Sequence, residues 1–228
     1  MTVTAARPAE HVAGRPWLVA FAVALVLHLV LLGLDVEPWD SVTKCLLAPL
    51  LVGWVLAARG PRLLAVALVL CLGGDLLLEL DGMFLAGMAS FAAAHVCFVA
   101  LFVRAGAWRR VRPPAALVAL YLAAAVVIVV WAWGGLEADL RPVVPVYAAL
   151  LLATAASAAA VDRVAGVGGA LFLVSDGVIA LGEAGRVDPG EPVVALTIMS
   201  LYGTAIALLA LGGLRVSRGD APSHVDPS

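Results

Sequence analysis

Long apolar runs, broken at regular intervals by short polar clusters, set the pattern of this chain. Eight such runs cover residues 17–34, 41–58, 62–80, 84–104, 114–134, 142–160, 164–183 and 193–213. Each is close to the roughly 20 residues that a helix needs to cross a hydrocarbon core about 30 Å thick. None alternates with a period of two, so strands are not predicted. The gaps "RGPR" and "LDGM" hold glycine and charge, as tight helix–helix turns require. The pattern predicts an all-α, polytopic membrane helical bundle with eight transmembrane helices. Residues 1–16 read as a flexible N-terminal segment, 17–213 as the transmembrane domain and 214–228 as a disordered C-terminal tail.

Composition agrees with the pattern. The chain is 64% apolar and 13% charged, against about half and about a quarter in soluble domains. The first run, Trp17 to Leu34, is too long for a signal-peptide core and has no clear small-x-small cleavage site after it. Cys45, Cys71 and Cys97 all lie in apolar runs without a CxxC, so they read as small hydrophobes. The richness in arginine, alanine and valine fits a high-GC bacterial genome, which would place the protein in the bacterial inner membrane.

Charge then orders the helices. Arg7 and Arg15, Arg59 and Arg62, Arg104 to Arg112, Arg163, and Arg215 and Arg218 occupy alternate segments. Asp35, Glu37 and Asp40, then Glu79 and Asp81, Glu137 and Asp139, and Glu183, Asp188 and Glu191 occupy the others. Basic segments stay in the cytoplasm. Eight spans with both termini cytoplasmic put all five basic segments on that side. Span 3, "LCLGGDLLLEL", and span 7, "LFLVSDGVIAL", share the form L-x-L-x-x-D-x-x-x-x-L four spans apart. That spacing admits a parallel repeat of a four-helix unit.

Four polar residues stand out inside the spans: Lys44, Asp75, His95 and Asp176. Charge in the bilayer interior costs about 2.5–3.5 kcal/mol per residue, so such groups commonly face a cavity and serve a function. Asp75 and Asp176 each follow a cytoplasmic arginine by thirteen residues, about 20 Å of helix. His95 lies about 16 Å from the outer end of its helix. Lys44 is near the outer end of span 2. Depth therefore gathers the four into one layer, from the middle to the outer part of the membrane. Structural roles fit them too: Lys44 snorkelling to the interface or pairing with Asp75, and His95 or Asp176 bonding a neighbouring helix. Glu79 shares a helix face with Asp75 and sits at the mouth of the same layer, unless it is only a wet helix end. Ser175 points about 100° away from Asp176 and lies in no nucleophile elbow, so a serine triad is disfavoured. No GxGxxG, P-loop or HExxH occurs, and nothing suggests nucleic-acid binding.

"GGDLLLEL", followed by "FLAGMASFAAAHVCFVALF" and later by "GGALFLVSDGVIAL", resembles the YhhN-like lysoplasmalogenase family of multi-pass membrane proteins. Gly87, Phe91, Ala94 and His95 match its G-x-x-x-F-x-x-A-H pattern. Gly169, Ala170, Leu171, Phe172, Ser175 and Asp176 match its late span, and Lys44 its early lysine. Tyr202 fits its tyrosine-containing last span more loosely. Cys45 departs from it, since many relatives carry proline there. The resemblance implies hydrolysis of the vinyl-ether bond of a lysoplasmalogen, a lysophospholipid held in the lipid bilayer. The products would be a fatty aldehyde and a glycerophospho-choline or -ethanolamine.

Vinyl ethers yield to acid. The slow step protonates the β-carbon and gives an oxocarbenium ion that water traps. The reaction needs a carboxylic acid that still holds its proton, and a second carboxylate to stabilise the cation or activate water. Burial and a neighbouring carboxylate both favour the protonated form of a carboxyl group. Asp75 and Asp176 are the expected acid–base pair, with His95 orienting water or one carboxylate. Lys44, Glu79, Ser175, Phe91 and Tyr202 are the expected substrate contacts, and no metal or other cofactor is expected. Two other functions use the same residues. One is a metal-dependent lipid hydrolase with His95, Asp75 and Asp176 as ligands, although a single histidine is thin for zinc. The other is a small-molecule or proton-coupled membrane transporter, since intramembrane Asp, His and Lys also make relays.

Overall fold

The structure is a computed structural model that describes residues 14–109 and 111–219. The described residues form eight helices: α1 (Arg15–Gly33), α2 (Trp39–Ala57), α3 (Arg62–Leu78), α4 (Phe84–Arg104), α5 (Ala115–Trp133), α6 (Leu140–Val161), α7 (Arg163–Glu183) and α8 (Pro192–Arg218). Seven are long and apolar enough to cross a membrane, and α3, at 17 residues, is shorter. Its rise is about 25 Å. Valines on the outer surface stand open, Val19 at 63%, Val127 at 62% and Val146 at 64% exposure. In water such an apolar shell would drive association, and in lipid it is the expected surface. This is a multi-pass membrane protein. The expected loose segment 1–13 and the tail from 220 lie outside the described residues. Helix α8 continues beyond residue 213 as far as Arg218.

Local chemistry sets the helix ends. Pro16 and Pro192 occupy first-turn positions, where the missing N–H costs nothing. Between α6 and α7 the turn is a single residue, Asp162. Its carboxylate caps α7 by accepting from the Ala165 N–H at 2.8 Å. Gly219 closes α8 in the left-handed conformation at φ 75°. Arg186 donates from Nε to the Trp131 carbonyl at 3.0 Å, meeting one of the open carbonyls at the end of α5. Arg141 and Arg186 thus sit at the acidic end of the bundle. The segregation of charge between the two ends is a strong bias and not a strict rule.

Packing is tightest where side chains are smallest. A Cβ on Gly169 would stand 2.6 Å from the Ala155 Cα, so α6 and α7 approach backbone to backbone. On the other flank, a Cβ on Gly168 would stand 2.9 Å from the Ala205 carbonyl oxygen of α8. Helix α7 is therefore wedged between α6 and α8. Helices α3 and α4 form a second close pair, and α1 lies against α2 and α8. Helix α5 lies against α6 and α7 and is the most peripheral. Cys71 is buried, Cys45 and Cys97 are partly so, and all three thiols are free.

Candidate active site

Alternating helix direction brings distant residues to one end of the bundle. The late turns of α3 and α7 meet the early turns of α2, α4, α6 and α8 there. They enclose a cavity of about 90 Å³. Asp75 and Asp176 stand in its wall, with Lys44, Glu183, Tyr147 and Tyr202. The rest is apolar, including Phe84, Met88, Phe91 and Met199.

Each aspartate has a tyrosine. The Tyr202 hydroxyl donates to Asp75 Oδ2 at 2.6 Å, joining α8 to α3 across 127 residues of sequence. The Tyr147 hydroxyl donates to Asp176 Oδ2, joining α6 to α7. Asp75 is 1% exposed, and removal from water makes these single bonds consequential. Each bond occupies one carboxylate oxygen and fixes the plane of the group. Tyr147 was missed at the sequence level, since a tyrosine in an apolar run signals no cost.

An aromatic floor holds the tyrosines. Phe91, Phe172 and Tyr202 meet edge to face, with centroids 5.5–6.1 Å apart. This is the favoured geometry for aromatic pairs. Gly74 makes room for the Phe91 ring on the face of α3 next to Asp75. The His95 ring stacks edge-on against Phe172 at 4.6 Å and Tyr147 at 5.7 Å.

His95 itself does not line the cavity. It is fully buried beneath the aromatic layer, and its Nδ1 is 3.1 Å from the Thr154 hydroxyl. Counting turns explains the separation. Asp75 is about 5 Å from the end of α3, Asp176 about 10 Å from the end of α7, and His95 about 16 Å from the start of α4. Ser175 is likewise turned away, donating to the Ile198 carbonyl at 3.0 Å.

Lys44 does not pair with Asp75. Its Nζ binds Glu79 Oε1 at 2.7 Å, and Ser41 donates to Glu79 Oε2 at 2.6 Å. The pair stands at the mouth, with side chains 16% and 33% exposed. Beyond it opens a second, more polar cavity of about 250 Å³, bordered by His28, Glu37, Asp40, Ser41, Lys44 and Glu79. On the opposite flank, a narrow apolar cleft runs from Tyr147 and Asp176 past Ala180 to Ala125, Ile128 and Val129 of α5. No group of three or more His, Cys, Asp or Glu placed to hold a metal ion occurs among the described residues.

Residues 39–213, which include every residue of this cavity, match the model of the YhhN family. The chain belongs to the YhhN family. It is also 33% identical over 179 residues to human lysoplasmalogenase TMEM86B, covering 77% of this chain and 75% of that protein. No solved structure matches it. In this YhhN protein both aspartates, both tyrosines and the Lys44–Glu79 pair lie within the matched region.

Proposed function

We propose that this YhhN protein is a lysoplasmalogenase-like hydrolase that cleaves the vinyl-ether bond of a lysoplasmalogen. One observation carries the reading. Two carboxylates, each held by a tyrosine hydroxyl, stand in the wall of one mainly apolar cavity. The likeness to a human lysoplasmalogenase supports it.

One aspartate, protonated, transfers its proton to the β-carbon of the vinyl ether. The C=C electron pair forms the new C–H bond, and an oxocarbenium ion develops at the α-carbon. The other aspartate, as carboxylate, stabilises that cation and takes a proton from the water that adds to it. The resulting hemiacetal collapses to the fatty aldehyde and the glycerophospho-alcohol. Tyr147 and Tyr202 keep each carboxyl aimed, and a free oxygen on each carboxyl is left for the chemistry. His95 acts through Tyr147, as packing beneath it. The apolar lining excludes bulk water from the cation until one water is admitted.

The eight helices are eight spans, with both termini in the cytoplasm and the cavity opening toward the outer leaflet. Asp75 on α3 and Asp176 on α7 take corresponding places in a parallel four-helix repeat. In the test, purified protein is given a lysoplasmalogen and the fatty aldehyde is measured, with the saturated ether lipid as control. Hydrolysis of the vinyl ether alone supports the reading, and its absence from folded protein overturns it. Activity that disappears with chelator and returns with a divalent ion would transfer the reading to a metal-dependent hydrolase.

A further inference from the structure

Acid–base chemistry leaves the outer cavity unassigned. His28 is 2% exposed and borders it from α1. Its Nδ1 is 3.0 Å from the Asp40 carbonyl oxygen and 3.2 Å from the Thr43 hydroxyl. A carbonyl only accepts, so Nδ1 carries the proton. In the neutral ring, Nε2 is then an acceptor, and it has no partner among the described residues. Asp40 Oδ1, on the same border, is buried and also lacks a partner among those residues. Buried acceptors left open are costly and uncommon.

The charge on the cavity wall has the same sign. Glu37, Asp40 and Glu79 face one cation, Lys44, which Glu79 already engages. The site therefore has more acceptors than donors and an excess of negative charge. It also shares Lys44, Ile198 and Met199 with the wall of the aspartate cavity, so the two lie side by side.

We infer that the outer cavity is the head-group site and selects a primary ammonium, as in a phosphoethanolamine head. This rests on the lysoplasmalogenase reading. The order of the cavities follows the order of groups in such a lipid. The ammonium sits at His28 and Asp40, the phosphate at Lys44, the vinyl ether between the aspartates, and the alkenyl chain in the cleft against α5. A primary ammonium has three N–H donors for His28 Nε2, Asp40 Oδ1 and Glu37. A quaternary ammonium has none, and a phosphoglycerol head has hydroxyls but no charge to offer.

Titration calorimetry on the full chain in detergent tests this with glycerophosphoethanolamine, glycerophosphocholine and glycerophosphoglycerol. The ethanolamine compound is expected to bind roughly tenfold tighter than the other two, the effect of one charge-assisted hydrogen bond. His28→Leu and Asp40→Asn are expected to abolish that difference. Glu37→Gln, at an exposed loop position, reduces it without threatening the fold. Equal binding of all three compounds, or no binding of any, overturns the inference. So does selectivity that survives in all three variants. Parallel aldehyde assays separate the two claims. Selective binding without aldehyde release from any lysoplasmalogen sustains the head-group site and refutes the hydrolase. Aldehyde release with the same KM for ethanolamine and choline substrates refutes the head-group site alone.

Discussion

Removing one oxygen atom, in Tyr202→Phe, separates a catalytic role for Asp75 from a structural one. The ring is 4% exposed and packs edge to face on Phe91 and Phe172, contacts that phenylalanine keeps. What disappears is the 2.6 Å bond to Asp75 Oδ2. A buried acceptor stripped of its partner costs about 1–3 kcal/mol, so thermal unfolding in detergent should move down by a few degrees. The kinetic consequence is separate. A carboxyl no longer pinned swings away from the reacting carbon, and a misplacement of about 1 Å costs on the order of a hundredfold in rate. The expected outcome is a kcat lower by about 10- to 100-fold with KM changed less than about threefold. A continuous assay that couples aldehyde to its reduction by NADH reads both constants. Lower stability with an unchanged kcat would refute the reasoning, because the Tyr202–Asp75 bond would then be only a helix clasp.

Three further outcomes are expected. Lys44→Met removes an ion pair that is partly exposed, so stability should change by less than about 1 kcal/mol, while KM rises severalfold through the lost phosphate contact. Steady-state kinetics beside a melting curve checks both. Ala180→Phe fills the junction between the aspartate cavity and the cleft along α5, and should slow long-chain substrates far more than short-chain ones. A chain-length series of kcat/KM values is the check. Gly169→Leu forces α6 from α7 where a Cβ would already stand 2.6 Å from Ala155, so at least the roughly 1–3 kcal/mol of an overpacked core is lost. Detergent melts should show this as a lower Tm or as aggregation.

The fold was readable because each helix announces itself by length and hydropathy. The eight apolar runs correspond to α1 to α8 with small shifts at the ends. Asp75 and Asp176 were readable for a related reason, since a carboxylate in an apolar run is an expense that calls for an explanation. Rotation of a helix about its axis is far harder to read. Depth alone grouped His95 with the aspartates, but α4 carries it under the aromatic floor, facing Thr154. Asp75 and Glu79 share a helix face, and the sequence reading offered Lys44 only Asp75 as a partner, with Glu79 at the mouth. The structure gives Lys44 to Glu79, the nearer of the two to the end where α2 begins. His28 escaped notice because it is one neutral ring in the first apolar run, and its importance lies in the unmet Nε2. Tyr147 escaped because only the fold brings α6 beside Asp176.

The most direct test of the central claim compares aldehyde release by the wild type, Asp75→Asn and Asp176→Asn. All three proteins are purified in one detergent and shown to be folded by melting. Asparagine keeps the size of the side chain and an oxygen to accept from Tyr202 or Tyr147, but it neither gives nor takes the proton. Loss of general acid–base catalysis costs about 10²- to 10⁴-fold, so each variant should retain at most about 1% of the wild-type kcat. Both variants turning over within about threefold of the wild type would contradict an aspartate pair as the acid and base.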